Sequence, residues 1–272
     1  MAESVSAPLI GLSTSSVSPE SPAHAFAWAA ELGYDAIEVM VGIDGLSQQT
    51  SALRQLSAHH DVPVCAVHAP CLLFTQRVWG LEPWGKLQRS AEMASELGAD
   101  VVVVHPPFRW QRDYAAGFVD GIAALEASTG IAFAVENMYP WRASTRRGRE
   151  RGLEMYLPGW DPSDEEYANT TIDLSHAAIA RSDVVEMADR MGDRLRHVHL
   201  TDGSGSAKDE HLVPGRGVME AAAFLRHLAD RAFVGHVVLE INTRRCSTRE
   251  ERETDLRESL EFAREHLGVR AR

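Results

Sequence analysis

Three short stretches between Ala168 and Gly217 decide the fold. They read ANTTIDLSHA over 168–177, LRHVHLTDG over 195–203 and KDEHLVPGRG over 208–217. The first two are β-branched runs that end in clusters of Asp and His, and the third places an Asp-x-His pair in a Gly/Pro loop. Side chains that bind metals therefore gather where the predicted strands end.

The same alternation of apolar runs and amphipathic segments continues through the whole chain. Runs of Val, Ile and Leu without an alternating polar face are typical of buried parallel strands, and the segments between them have helical periodicity. Ser18 followed by Pro19 is a predicted start for the first helix, which ends at Gly33. Strands are expected at 8–13, 35–41, 62–68, 100–105, 131–136, 170–173, 195–200 and 236–240, and helices at about 18–32, 48–60, 86–97, 114–128, 184–191, 219–230 and 248–266.

Eight strands, each followed by a helix or by a loop long enough to hold one, predict a (β/α)₈ TIM barrel that forms a single domain over 1–272. A doubly wound open sheet is the alternative, but it would not bring residues from all the strand ends to one point. The stretch 137–167 breaks the rhythm and is expected to be an extended loop over the C-terminal face, with at most a short helix near 163–167.

The composition limits the classes of function. With 272 residues, 44% of them hydrophobic, the chain can bury a large core, and its net charge of −12 makes nucleic acid an unlikely partner. The odd number of cysteines, three, indicates reduced thiols and a cytoplasmic location. We expect no signal peptide and no membrane span, because no apolar run reaches about 18 residues.

Histidines and acids stand at the expected C-terminal strand ends, the face on which TIM barrels carry their active sites. A single histidine at such a position is more often structural than a ligand, so only the joint occurrence indicates a shared divalent-metal site. His197, two residues before His199, is expected to point away from the barrel interior, and His236 stands at the wrong end of its strand. The nine candidates are His68, His105, Glu136, Asp173, His176, His199, Asp209, His211 and Glu240.

Arginines and aromatic residues near these strand ends are candidates for substrate contacts. A guanidinium pairs bidentately with phosphate or carboxylate, so Arg146, Arg147 and Arg216 are predicted anion ligands, the alternative being a solvated loop. Aromatic residues in the same loops are expected to line a pocket or to pack as a lid. The arginines of the long loop are Arg142, Arg146, Arg147, Arg149 and Arg151, and the aromatic residues are Phe74, Trp79, Trp110, Tyr139 and Trp141.

The set of motifs resembles the xylose-isomerase-like TIM barrels, which include sugar and sugar-phosphate isomerases and epimerases and the endonuclease-IV-type apurinic-site nucleases. The likeness spans nearly the whole chain. The motifs that carry it are AVHAP at His68, VVVHPP at His105, AVEN at Glu136, IDLSH at Asp173 and His176, HVHLTD at His199, DEHLVPGRG at Asp209 and His211, and VLEIN at Glu240.

The isomerase branch of the family implies one divalent cation, usually manganese, held by Glu136, Asp173, His199 and Glu240. Glu136 and Glu240 would act as the two catalytic groups, one removing and one returning a proton through an enediolate that the metal stabilises. The resemblance also implies that His176 binds a substrate hydroxyl.

The nuclease branch implies three zinc ions held by all nine residues, and this chain matches that set position by position. Two departures count against DNA. The loop 42–47 has no basic or aromatic side chain, and the sequence after His68 lacks an aromatic wedge. Arg216 also stands between two glycines where an acid is common in both branches.

From the sequence we therefore expect a metal-dependent isomerase or epimerase of a small sugar, polyol or sugar phosphate, with one to three Mn or Zn ions. The alternatives are a multinuclear zinc phosphoesterase and a non-catalytic sugar-binding barrel. The final helix and the arginine loop are candidate contacts for a homodimer.

Overall fold

Eight parallel strands close into a barrel in the computed structural model, which describes residues 7–144 and 150–269. The strand order around the barrel follows the chain, so each strand pairs with its neighbours in sequence. The predicted (β/α)₈ barrel is confirmed, and the doubly wound alternative is wrong. The barrel strands are β1 (Leu9–Ser13), β2 (Ala36–Met40), β3 (Val64–His68), β4 (Val101–Val104), β5 (Ala132–Glu136), β8 (Thr170–Asp173), β9 (Leu195–Leu200) and β10 (His236–Leu239).

Helices follow the strands and cover the outside of the barrel. The expected helix over 114–128 is divided in two at Gly117, and a short helix that the sequence analysis did not predict begins directly after Asp173. No helix in the described ranges has the length and apolar content to cross a membrane. The helices are α1 (Pro22–Leu32), α2 (Thr50–His60), α3 (Pro83–Leu97), α4 (Arg112–Ala116), α5 (Phe118–Thr129), α6 (Leu174–Ala180), α7 (Val184–Met191), α8 (Ala221–Asp230) and α9 (Arg249–Leu267).

The start of α1 differs from the prediction. Residues Thr14–Val17 form a 3₁₀ turn, and the helix begins at Pro22 with Ser21 as its N-cap. The sequence contains two Ser-Pro pairs close together. Ser18-Pro19, the predicted start, follows the 3₁₀ turn, and Ser21-Pro22 starts the helix instead. Gly33 ends the helix in the left-handed conformation (φ 86°), as its position predicted.

The long segment after β5 is more ordered than predicted. Strands β6 (Trp141–Ser144) and β7 (Glu150–Leu153) pair in antiparallel fashion, and a 3₁₀ turn covers Pro162–Asp164. Each strand has only four residues and no clear hydrophobic alternation, so the hairpin could not be predicted from a local pattern. Residues 145–149, which include Arg146, Arg147 and Arg149, lie outside the described residues.

The barrel interior changes in character along its axis. Its N-terminal part is filled by small apolar side chains, whereas the C-terminal part is filled by acids and imidazoles. Gly11 belongs to the apolar part, and a Cβ there would lie 3.0 Å from Cγ2 of Val238. The apolar group consists of Ala36, Cys65, Ala66, Val101, Val103, Ala134 and Val238.

A buried histidine lies at the N-terminal rim of the barrel, at the beginning of β10. The ring of His236 makes an edge contact with that of His197 at a centroid distance of 5.5 Å, and its Nε2 lies 3.4 Å from Oδ1 of Asp100. Burial and the neighbouring His197 lower the pKa of His236 from 6.5 to about 4, although Asp100 acts in the opposite direction.

This depressed pKa predicts a stability difference in acid. Between about pH 6.5 and 4 the unfolded chain binds a proton at this position and the folded chain does not, so the native state loses stability as the pH falls. We expect the loss to be smaller in His236→Asn, by up to about 1.4 kcal/mol per pH unit. Urea unfolding at several pH values measures it, and parallel pH profiles for the two proteins would contradict the prediction.

Candidate metal centre

The carboxylate of Glu136 is the centre of the cluster at the C-terminal end of the barrel. It ends β5, is 1% exposed and is surrounded by four imidazoles from other elements. Its Oε2 lies 3.2 Å from Nε2 of His68 and 2.9 Å from Nε2 of His105. Its Oε1 lies 3.1 Å from Nδ1 of His176 and 3.3 Å from Nδ1 of His199.

His199 connects this centre to two further carboxylates. Its Nδ1 is 3.1 Å from Oε2 of Glu240 and 3.7 Å from Oδ2 of Asp173, so three acids face the same nitrogen when Glu136 is included. The opposite nitrogen, Nε2, contacts Oε2 of Glu38 at 3.2 Å. Glu38 therefore holds the ring at Nε2, and Nδ1 faces the other three carboxylates.

A second carboxylate gathers two more histidines on the outer side of the cluster. Asp209 Oδ2 lies 3.2 Å from Nε2 of His176, and its Oδ1 lies 3.0 Å from Nε2 of His211. Ser175 donates a hydrogen bond of 2.8 Å to Oδ1 of Asp209. Nδ1 of His211 contacts the backbone carbonyl oxygen of Glu240 at 2.8 Å. All nine residues that the sequence analysis selected for the metal site are thus neighbours at one rim.

Local hydrogen bonds explain why the chain presents these ligands here. Asp173 caps α6 by accepting from the backbone N–H of His176 at 2.7 Å, which places the ligand pair on one turn. Asn137 pairs with the backbone of Asp173 on both sides, at 2.7 and 3.1 Å. The buried Asp202 accepts from the N–H groups of Gly203, Gly215, Gly217 and Met219, and so fixes the loop that carries Asp209 and His211.

The donor set fits a divalent metal. Neutral imidazoles with carboxylates are the ligands of zinc and manganese, and such sites need donor atoms that converge. Oδ2 of Asp173 is buried and has no hydrogen-bond partner among the described residues. This oxygen is therefore available to coordinate a metal ion in the cluster. Within each of the following groups the possible ligand atoms lie within 4.8 Å of one another: His68, His105 and Glu136; Glu136, Asp173 and His199; Asp173, His176 and His211.

Burial and charge shift the protonation of the two central glutamates in opposite directions. Burial raises the pKa of Glu136, but the charges of His105 and His199 outweigh it and hold that pKa well below the usual range. Burial also raises the pKa of Glu240, and there it prevails over His199 and His211. The two carboxylates therefore differ in basicity although they share a neighbour.

The predicted arginine ligands do not gather at the cluster. Arg216 pairs with Asp255 at 2.7 Å and with Glu258, both on α9, because these two acids offer its guanidinium a partner on the outer surface. Arg146 and Arg147 lie outside the described residues, so their role stays a prediction. Arg244, which was not predicted, lines the cavity into which Asp209, His211 and Glu240 open.

Glu38 and His197 are the residues that sequence reasoning missed or misplaced. The prediction that His197 points outward was wrong, because residues two apart on a strand share a face. Its Nε2 lies 3.0 Å from Oε2 of Glu38, and both side chains are fully buried inside the barrel. The sequence signal for Glu38 was an acid in the middle of the apolar run AIEVM of β2.

Glu38 predicts a measurable effect on metal binding. It fixes the ring of His199, and loss of such a partner typically weakens metal affinity by about 10- to 100-fold. We expect that loss in Glu38→Gln, measured by competition with a chelator. The control is Glu126→Gln, since Glu126 also accepts internal hydrogen bonds, from Phe133 and Asn169, but lies away from the cluster. Equal affinity in Glu38→Gln and the wild type would contradict the prediction.

Known proteins resemble this chain over most of its length. An uncharacterised protein of Mycobacterium tuberculosis is 52% identical over 272 residues, covering 95% of this chain and 97% of that protein. Fructoselysine 3-epimerase of Escherichia coli O157:H7 is 22% identical over 245 residues, covering 81% and 85%.

Solved structures share the fold at low identity. A D-tagatose 3-epimerase-like protein superposes with a TM-score of 0.66 at 24% identity, covering 94% of this chain and 98% of its own. An AP endonuclease of family 2 from Brucella melitensis has a TM-score of 0.64 at 17% identity, covering 87% and 94%. The sequence profile described as "Xylose isomerase-like TIM barrel" matches residues 26–266. The chain therefore belongs to the xylose isomerase-like TIM barrel family.

Proposed function

We propose that this protein is a divalent-metal-dependent epimerase or isomerase of a sugar or sugar derivative. The observation that carries the proposal is the position of two buried glutamates about one histidine. Glu136 and Glu240 both approach Nδ1 of His199, at 3.3 and 3.1 Å, and Glu240 also borders an open cavity. The epimerase named among the curated relatives supports the same class of reaction.

Epimerisation next to a carbonyl needs one group that removes a proton and one that supplies it. Glu136, whose pKa is held low, is ionised at neutral pH, and Glu240, whose pKa is raised, is the more easily protonated of the pair. Proton transfer through this pair interconverts the two configurations of the carbon between them. Ser15 donates a hydrogen bond of 3.3 Å to Oε1 of Glu240 and orients that carboxylate.

The residues that would hold the metal are Glu136, Asp173, His199 and Glu240. The chemistry that a divalent cation supplies at such a site is polarisation of the substrate oxygens, which makes the neighbouring carbon more acidic. His176 and His211, together with Asp209, lie on the outer side of this group and are placed to bind substrate hydroxyls.

A multinuclear zinc phosphoesterase is the second candidate. It is favoured by one observation, the convergence of Asp173, His176 and His211 into a further group of possible ligands that shares Asp173 with the central group. A sugar epimerase needs only the central group. The acidic net charge and the absence of basic residues in loop 42–47 argue against DNA as the substrate of such an enzyme.

Proton exchange tests the reaction directly. With D-fructose, D-tagatose and D-allulose as a substrate panel in deuterated water, we expect the wild type loaded with manganese to incorporate deuterium at the carbon beside the carbonyl of at least one sugar. Glu240→Gln should lower the rate at which the two epimers interconvert by about two to four orders of magnitude, since it removes one of the two acid-base groups that inversion needs. Nuclear magnetic resonance follows the exchange. Continued interconversion of the two epimers in Glu240→Gln would refute the two-glutamate mechanism.

Metal stoichiometry separates the two candidate functions. We expect one tightly bound manganese per chain to be sufficient for exchange, because the four central ligands complete one site. Elemental analysis and titration of chelator-treated protein measure it. Three zinc ions per chain, together with hydrolysis of bis-p-nitrophenyl phosphate, would favour the phosphoesterase instead.

A further inference from the structure

An aromatic cavity of about 430 Å³ adjoins the metal centre and has no part in the proton transfer. Leu72 and Phe74 line both this cavity and the one that contains Asp209, His211 and Glu240, so the two spaces are neighbours. The ring of Tyr139, which also lines the aromatic cavity, lies 5.1 Å from that of His176. We call this space the side cavity.

Backbone hydrogen bonds fix one wall of the side cavity. The chain around Phe108 forms an antiparallel bridge with the chain around Tyr156. Two backbone hydrogen bonds hold the bridge. The N–H of Arg109 donates to the carbonyl oxygen of Met155 at 2.8 Å, and the N–H of Leu157 donates to the carbonyl oxygen of Pro107 at 2.9 Å. The two rings lie 5.2 Å apart and both residues are buried, so this wall exists before any ligand binds.

The chemistry of the side cavity differs from that of the metal centre. Its described lining residues are aromatic or aliphatic and include no charged side chain, whereas the centre consists of acids and imidazoles. Leu73 and Phe74 stand at its edge and are 46% and 65% exposed. Pockets of this size with apolar walls are typical of small-molecule sites, and aromatic faces bind apolar or planar groups.

We infer that the substrate is a sugar that carries an uncharged apolar or aromatic substituent, and that the side cavity holds this substituent. The inference rests on the proposed function, because the sugar must place its reacting carbon between Glu136 and Glu240. The two spaces share Leu72 and Phe74 as lining residues, so a ligand that passes these side chains would reach both. A free sugar would fill the polar part and leave the aromatic walls in contact with water.

A matched pair of ligands tests the inference by binding alone. D-fructose and 1-anilino-1-deoxy-D-fructose share the ketone and the carbon next to it, and the second adds a phenyl ring through a nitrogen that is uncharged at neutral pH. With manganese-loaded protein we expect the anilino compound to bind at least about ten-fold more tightly by calorimetry, because burial of the ring removes apolar surface from water.

Substitutions in the wall locate the gain. Trp141→Ala should remove most of the difference between the two ligands and leave the affinity for D-fructose unchanged, because Trp141 lines only the side cavity. Phe74→Ala should also remove most of that difference. Leu81→Ala is the matched control, since Leu81 is a similarly exposed apolar residue (76%) that does not line the side cavity. It should change neither affinity. Phe74 is exposed, so its substitution does not disturb the core.

The outcomes distinguish this inference from the proposed function. If the two ligands bind equally while free ketoses still exchange a proton with solvent, the side cavity has no such role and the proposed function stands. A gain that Trp141→Ala and Phe74→Ala both preserve likewise overturns the inference. If no ketose exchanges a proton but the ring-dependent gain is lost in both variants, the cavity assignment stands and the proposed reaction is wrong.

Discussion

The burial of one carboxylate among four imidazoles is the interaction on which the site depends. Glu136 is 1% exposed, and an unpaired charge at such a depth would be strongly destabilising. Its partners come from β3, β9, the residue after β4 and the start of α6, so no single strand pair satisfies it. These elements must all assemble around β5 before the carboxylate is compensated. The site and the fold are therefore stabilised by the same contacts.

The barrel interior is layered, with small apolar side chains at the N-terminal end and the Glu136 cluster at the C-terminal end. Small residues such as Ala36 and Ala134 fill the N-terminal part of the barrel, and space for larger polar groups remains only towards the other rim. Glu38 and His197 occupy the layer between these parts and leave Oε1 of Glu38 and Nδ1 of His197 without hydrogen-bond partners among the described residues. Such incomplete satisfaction of buried polar groups costs stability. It is expected where side chains are held for ligand binding rather than for packing.

The sequence predicted the barrel and the convergence of nine acids and imidazoles because both depend on local patterns that one strand reveals. An apolar run that ends in His or Glu, as at His105 and Glu136, shows both the strand and the direction of its end. Glu38 was missed because it lies in the middle of the apolar run AIEVM and not at its end. Its partners, His197 and His199, are on β9, far away in sequence. The pairing of Arg216 with α9 was equally invisible, since its partners are about 40 residues away in sequence. Asp202, which stood beside the ligands in sequence, is bonded instead to its own loop.

Solvent exposure divides the candidate metal ligands into an inner group and an outer group. His68, His105 and Glu136 are almost fully enclosed, whereas the side chains of Asp209 and His211 are 31% and 18% exposed. The cavity is lined by Asp209, His211 and Glu240 but not by Glu136, so in the proposed function a substrate would meet these three residues first. The outer pair, Asp209 and His211, can therefore exchange its mutual contact for substrate hydroxyls without uncovering the carboxylate of Glu136. The inner group cannot, because each contact it loses would leave a buried charge uncompensated. In the proposed function, the same constraint that holds Glu136 in place leaves substrate recognition to the loop that Asp202 supports.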